Sequence, residues 1–269
     1  MLVAQITDTH IREPGLLCCD RVDTAAFLAR AVEKLGSLRP TPDLVILTGD
    51  LVDHGAVAEY EHLRSILSAL EIPYYLVMGN HDCRDALREV FRDRAYLPAG
   101  AFIQYAVEDF PVRLVALDTN VPGQGGGNLC AERLAWLDRC LSEQPDRPTV
   151  LAMHHPPFLS GHAPGDRFGL EGRDQLAAVI SKHRNVEAIL CGHLHRPTQA
   201  RFAGTVAMTC PSTAHQLHFG LGESPFGFDL EPPALQLHLW NGRGMVTHTV
   251  LIERYDGTYA FGDGRKIAG

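Results

Sequence analysis

Short apolar runs alternate with helical patterns up to about residue 190 of this 269-residue chain, which is the arrangement of an α/β fold. The runs predict buried strands at residues 2–6, 44–47, 74–78, 112–117, 150–153 and 188–190. Between them, apolar residues recur at helical spacing, as at Leu63, Leu67 and Leu70. Each intervening segment therefore has one face that can pack on a sheet.

The pattern changes near residue 205. Residues 235–240 alternate strictly between apolar and polar, residues 246–252 form a second strand-like run, and the Asn-Gly-Arg-Gly sequence between them suits a hairpin. Residues 218–233, rich in Gly, Pro and Phe, predict an irregular excursion. We expect a single domain, with a core at residues 1–205 and C-terminal strands at 206–269 that include a candidate cap or oligomerisation segment.

The net charge, the N-terminus and the cysteine pattern limit the partners and the compartment expected for this chain. The formal net charge of −8 disfavours nucleic-acid polymers and anionic membranes as partners. The N-terminus has neither a basic leader nor a long apolar run. The seven cysteines contain no Cys-x-x-Cys pair, so they indicate reduced thiols and a cytoplasmic protein rather than a disulfide framework.

Five of the predicted strands end in residues that bind metals or move protons. In chain order these residues are Asp8 and His10, Asp50, Asn80 with His81, His154, and His193 with His195. Taken singly, each is also typical of an ordinary turn or loop. Because ligands bind beyond the carboxyl ends of strands in α/β sheets, the five ends together predict one metal site. Imidazole and oxygen ligands without thiolate favour Zn, Fe, Mn or Co over a closed structural zinc site.

The same residues resemble a known family. Asp8-x-His10, Gly49-Asp50, Gly79-Asn80-His81-Asp82, His154 and Gly192-His193-x-His195 are similar, in order and separation, to the signature of calcineurin-like metallophosphoesterases. The resemblance covers roughly the first 200 residues. It implies a four-layer αββα sandwich of two mixed sheets flanked by helices, here with a small C-terminal β extension. The chain start, the segment around His154 and the segment around His215 most resemble bacterial class III cyclic-nucleotide phosphodiesterases and related glycerophosphodiesterases.

The resemblance also implies how two divalent or mixed-valence ions are held. One ion would take Asp8, His10, Asp50 and His195, and the second would take Asp50, Asn80, His154 and His193. A hydroxide between the ions would attack phosphorus. His81 is expected to stabilise the transition state or protonate the leaving group, and His215 is a second catalytic candidate; both are alternatively supports for the ligands. His155 is expected to be structural.

The expected substrate is a small phosphodiester. Two divalent ions, two carboxylates and a hydroxide leave roughly one positive charge, which a diester balances. Extra arginines would favour a monoester, and Arg12, Arg167, Arg173 and Arg196 are the candidates. Cyclic nucleotides come first among the diesters and glycerophosphodiesters second, while a non-catalytic scaffold is the alternative of another class.

Three further expectations concern loops and assembly. Residues 160–173 form either a lid that contributes His162 or Arg167 to the substrate, or a solvated connection. Residues 123–127 lack the Gly-Lys-Ser/Thr of a phosphate loop and receive no nucleotide role. A homo-oligomer, a dimer or larger, is expected.

Overall fold

The computed structural model describes residues 1–267. Its strands are β1 (Leu2–Ile6), β2 (Leu44–Thr48), β3 (Tyr74–Val77), β4 (Tyr105–Val107), β5 (Arg113–Ala116), β6 (Gly127–Asn128), β7 (Thr149–Ala152), β8 (Leu170–Glu171), β9 (Val186–Cys191), β10 (Gln199–Phe202), β11 (Thr205–Thr209), β12 (Gln216–Leu217), β13 (Phe228–Asp229), β14 (Ala234–Trp240), β15 (Met245–Leu251), β16 (Thr258–Tyr259) and β17 (Lys266–Ile267). Its helices are α1 (Thr24–Ser37), α2 (Val57–Leu67), α3 (Arg84–Val90), α4 (Ala131–Ser142), α5 (Ala163–Asp166) and α6 (Arg173–Ile180).

Two mixed sheets form the body of the fold. The first has the order β15-β14-β1-β2-β3, with β1, β2 and β3 parallel and the two C-terminal strands antiparallel. The second has the order β10-β11-β9-β7-β5-β4, with β11, β9, β7 and β5 parallel and an antiparallel strand at each edge. The parallel strands place their carboxyl ends, and the loops that follow them, on the same edge of each sheet.

Successive residues of β7 show how the layers are stacked. Val150 and Ala152 belong to the core shared with the first sheet, whereas Leu151 lies in the core that includes Leu137 of α4. Side chains of α1, α2 and α3 pack into the first core, and those of α4 and α6 into the second. The order is therefore helix, sheet, sheet, helix, and the fold predicted from the sequence is confirmed.

Local signals explain where several elements begin and end. Asp23 caps α1 by accepting a hydrogen bond from the Ala26 amide at 3.0 Å. The six strands predicted up to residue 190 agree with the observed bounds to within two residues, and the hairpin between β14 and β15 turns where Asn241 predicts it. The excursion at 218–233 is mostly irregular but includes β13, which pairs with β12. Within the described part of the chain, no helix combines the length and apolarity needed to cross a membrane.

Candidate metal centre

The five strand ends singled out by the sequence meet at one place between the two sheets. Hydrogen bonds join their loops: the Asp8 amide donates to the Gly49 carbonyl, the His10 amide to the Asp50 carbonyl, and the Gly192 amide to the His154 carbonyl, each at 3.0 Å. The backbone there is strained. Five of the seven predicted ligands have positive φ: Asp8, His10, Asp50, His193 and His195. Such strain in residues other than glycine persists at functional sites, where the surrounding structure holds it.

One cluster of donor atoms forms around His195. Its Nε2 lies 3.3 Å from Oδ1 of Asp8 and 3.3 Å from Nε2 of His10. Nε2 of His10 is in turn 3.7 Å from Oδ2 of Asp50. These four side chains are the set expected for the first ion.

A second cluster forms around Asn80. Its Oδ1 lies 3.1 Å from Nε2 of His154 and 3.2 Å from Nδ1 of His193. Nε2 of His154 is also 3.3 Å from Oδ2 of Asp50. The same carboxylate oxygen therefore belongs to both clusters, as expected for a bridging ligand.

The hydrogen bonds of three histidines direct their Nε2 atoms at the clusters. Nδ1 of His10 bonds the Asp53 carboxylate at 3.1 Å, and Nδ1 of His195 bonds the carbonyl of His215 at 2.8 Å. Nδ1 of His154 bonds the carbonyl of Thr48, also at 2.8 Å. Because each Nδ1 faces an acceptor, it bears a proton, and Nε2 is the nitrogen available to a metal ion. Imidazole nitrogens and carboxylates that converge in this way suit a cation.

The spacing fits transition-metal ions. Bonds of about 2.0–2.2 Å in a tetrahedral site separate ligand atoms by about 3.3–3.6 Å, and the separations here run from 3.1 to 3.7 Å. Other groups of candidate ligands come together as well and include His81, His155, His215 and Asp53. Both nitrogens of His155 already contact protein oxygens, those of Thr119 and Gly125, as its expected structural role requires.

The electrostatics of the buried groups agree with a cation site. Burial raises the pKa of Asp8, but the neighbouring His195 outweighs it and lowers the pKa to about 2. Asp50 is likewise buried, and His154 and His81 hold its pKa well below the usual range. Burial lowers the pKa of His154, yet Asp50 and Asp8 raise it to about 9. The two carboxylates thus stay charged and attract positive charge, which a metal ion supplies by displacing the proton.

The two predicted catalytic histidines lie beside these clusters in different environments. The ring of His81 lies 4.7 Å from that of His10 and is partly exposed, and its Nδ1 donates to the Asp53 carbonyl at 2.7 Å. His215 is buried, 4.8 Å from the His195 ring. Burial, reinforced by His195 and His10, lowers the pKa of His215 to about 2, so this ring is neutral.

A cavity of about 450 Å³ opens onto the clusters and is lined by both catalytic candidates. Within the described residues, no lysine or arginine lines it. Three of the four arginines considered from the sequence are in ion pairs: Arg12 with Glu59, Arg167 with Glu223, and Arg196 with Glu231. The positive charge that a monoester would need is therefore missing from the cavity wall.

The loop at residues 160–173 reaches the cavity, but not through the residues expected. Gly165 and Phe168 line it. His162 instead accepts a hydrogen bond from the Gly165 amide, and Arg167 turns outward to its carboxylate partner. The glycine segment 123–127 also takes part, because Gly125 lines the cavity.

Several residues that line the cavity were not expected from the sequence. Asp53, which orients His10, follows Asp50 by three residues in the same loop, and that proximity was the available signal. Phe226 and Phe228 come from the irregular excursion, where no periodic pattern points to a site. Cys18 and Cys19 also line the cavity, without a motif to mark them.

Comparison with known proteins agrees with this geometry. A model of the calcineurin-like phosphoesterase family matches residues 1–197. A probable glycerophosphodiester phosphodiesterase of Arcobacter nitrofigilis is 36% identical over 264 residues, 97% of each chain. A 3′,5′-cyclic-nucleotide phosphodiesterase of Nostoc is 32% identical over 252 residues, 94% of this chain and 91% of that one. A solved dimetal phosphatase of Danio rerio shares the fold, with a TM-score of 0.64 at 15% identity over 94% of this chain and 99% of that one.

Proposed function

The chain belongs to the calcineurin-like phosphoesterase family, and from this premise we propose that it is a metal-dependent phosphodiesterase whose substrates are glycerophosphodiesters. The proposal rests on the two clusters of acceptor atoms that share Oδ2 of Asp50. Such a set of imidazole and oxygen donors matches the ligands that two transition-metal ions take.

Different residues of this chain would hold the ions and transfer the proton to the leaving group. Asp8, His10, Asp50 and His195 would hold one ion, and Asp50, Asn80, His154 and His193 the other. When bound, the ions supply Lewis-acid polarisation of the phosphoryl oxygens and a water whose pKa is lowered to about 7. His81 has Nδ1 engaged by the Asp53 carbonyl, so its Nε2 is the atom available to protonate the leaving alcohol.

The charge of the cavity supports a diester. Asp8 and Asp50 offset half the charge of two divalent ions, and no lysine or arginine of residues 1–267 lines the cavity to balance a dianion. A phosphodiester monoanion therefore fits better than a phosphomonoester.

The order of the two diester classes differs from the one expected from the sequence, in which cyclic nucleotides came first. The glycerophosphodiesterase relative is more similar to this chain than the cyclic-nucleotide relative and matches a larger share of both chains. We therefore place glycerophosphodiesters first and cyclic nucleotides second.

The test is a comparison of four substrates with the metal-loaded protein. We expect turnover of glycerophosphoethanolamine and bis(p-nitrophenyl) phosphate, slower turnover of 3′,5′-cyclic AMP, and none of glycerol 3-phosphate. Faster hydrolysis of cyclic AMP than of glycerophosphoethanolamine would reverse the order of the two substrates. No hydrolysis of any diester by protein that binds two ions would favour the non-catalytic scaffold.

A further inference from the structure

An aromatic surface lies next to the predicted metal ligands, separated from them by the ring of His215. Phe228 packs against His215 with ring centroids 5.2 Å apart, and His215 contacts His195. Phe168 and Phe226 line the same cavity, with centroids 5.7 Å apart and their planes at 35°. We refer to Phe168, Phe226 and Phe228 as the phenylalanine wall.

Two rings of the phenylalanine wall are exposed to solvent, and one of them is held in position by its close contact with the backbone. Phe226 is 63% exposed and Phe168 40% exposed, although aromatic rings are normally buried. Phe168 lies so close to Gly125 that a side-chain carbon at position 125 would come within 2.9 Å of its ring. The Gly125 carbonyl is bound by the buried His155 at 3.0 Å, which fixes the glycine next to the ring. Exposed rings held at the edge of a charged cavity indicate a ligand surface.

The chemistry of the wall limits what it can bind. Phenylalanine rings offer no group that could bond the nitrogens and oxygens at the edge of a purine base. A primary ammonium would lose hydrogen bonds to water that the wall does not replace. A quaternary ammonium has no N–H and attracts the electron-rich faces of aromatic rings. The absence of lysine and arginine from the cavity lining in the described chain, together with the net charge of −8, also favours a cation.

Building on the proposed function, we propose that the phenylalanine wall binds the quaternary ammonium of a choline diester, so that glycerophosphocholine is preferred to glycerophosphoethanolamine. The phosphoryl group would then lie at the metal clusters and the trimethylammonium group against the rings. The wall thereby determines which glycerophosphodiester is used.

The experiment compares three glycerophosphodiesters with the metal-loaded protein: the choline ester, the ethanolamine ester, and the 3,3-dimethylbutyl ester, which is the neutral isostere of choline. We expect kcat/KM to be highest for the choline ester, about tenfold above its neutral isostere. Phe226→Leu should remove most of that advantage by lowering kcat/KM for the choline ester far more than for its neutral isostere, and Phe226→Trp should retain the advantage.

Phe219 provides a matched control, because it is also 63% exposed and lies in the same excursion but does not line the cavity. Phe219→Leu should leave all three rates unchanged. Equal rates for the choline and dimethylbutyl esters, or an equal loss of both in Phe226→Leu, would overturn the proposal while the glycerophosphodiesterase function stands. A larger loss for cyclic AMP than for the choline ester would overturn it in favour of base stacking. Failure to hydrolyse any of the glycerophosphodiesters would instead contradict the proposed function itself.

Discussion

Nε2 of His10 and Nε2 of His195 lie 3.3 Å apart, and in each ring Nδ1 faces an acceptor. Nδ1 of His10 meets the Asp53 carboxylate, and Nδ1 of His195 meets the carbonyl of His215. The two Nε2 atoms are therefore the nitrogens directed at the cluster, beside the carboxylates of Asp8 and Asp50. A cation placed among them would be held by both rings and both carboxylates, and the positive φ angles of the two histidines orient them towards it.

Asp50 is the side chain on which both clusters depend, so Asp50→Asn should remove metal from both. Asparagine keeps the shape of aspartate but loses the charge that bridges two cations. Elemental analysis should give close to two ions per chain for the unchanged protein and a clear loss in the variant. Asp109→Asn, at an exposed position outside the cavity, should retain both ions. Full metal content in Asp50→Asn would show that the carboxylate does not bridge.

Asp53 positions His10 without being one of the predicted ligands. Its carboxylate accepts the Nδ1 proton of His10 at 3.1 Å and so keeps the Nε2 lone pair directed at the cluster. We expect Asp53→Asn to weaken metal affinity by about 10–100-fold, measured by competition with a chelator. Asp138→Asn removes the charge from a comparable pair with His183, 2.8 Å long and remote from the cavity, and should leave the metal affinity unchanged. An equal affinity in both variants would assign Asp53 a purely structural role.

Gly192 has room for no side chain, because a carbon there would lie 2.2 Å from Oγ1 of Thr7 and 2.8 Å from Oδ2 of Asp8. Gly192→Ala should therefore lower the free energy of unfolding by at least about 2 kcal/mol and weaken metal binding. Gly36, in α1, has nothing within 4 Å of the same position, so Gly36→Ala should stabilise the protein by about 0.5–1 kcal/mol. Urea unfolding of both variants measures the contrast, and a well-tolerated Gly192→Ala would indicate that β1 and β9 can separate.

The clustering of Asp50 and Asn80 could be predicted from the sequence, whereas the position of the phenylalanine wall could not, and the reason is physical. Asp50 and Asn80 follow parallel strands, so one regular pattern places them together. Phe226 and Phe228 lie in an irregular segment whose position depends on tertiary contacts that no periodicity encodes. Arg196 shows the converse error: it follows His195 directly but turns away to pair with Glu231.

His81 should matter most for leaving groups that need a proton. We expect His81→Ala to reduce kcat for a glycerophosphodiester by about 10²–10⁴-fold, since an alkoxide leaves poorly without protonation. For bis(p-nitrophenyl) phosphate the loss should be much smaller, because p-nitrophenolate is already a good leaving group. Metal content should stay at the level of the unchanged protein. A similar loss for both substrates would assign His81 to transition-state stabilisation, and loss of metal would make it a ligand.

His238 should make the fold sensitive to acid. It is fully buried between Thr247 and Gln5, and burial lowers its pKa to about 3. The unfolded chain binds a proton on this residue below about pH 6.5, whereas the folded chain does not until about pH 3. Stability is therefore complete above pH 6.5 and is lost as the pH falls towards 3, by about 2 kcal/mol between pH 7 and pH 5.

The variant His238→Gln removes this titration and should flatten the pH dependence of the free energy of unfolding by about that amount. His248→Gln, at an exposed position of the neighbouring strand β15, is the matched control and should leave the slope unchanged. Urea unfolding at pH 5 and pH 7 measures both, and an NMR titration of the His238 ring tests the same point without mutation. A ring that becomes protonated above pH 6 in the folded protein would contradict the assignment.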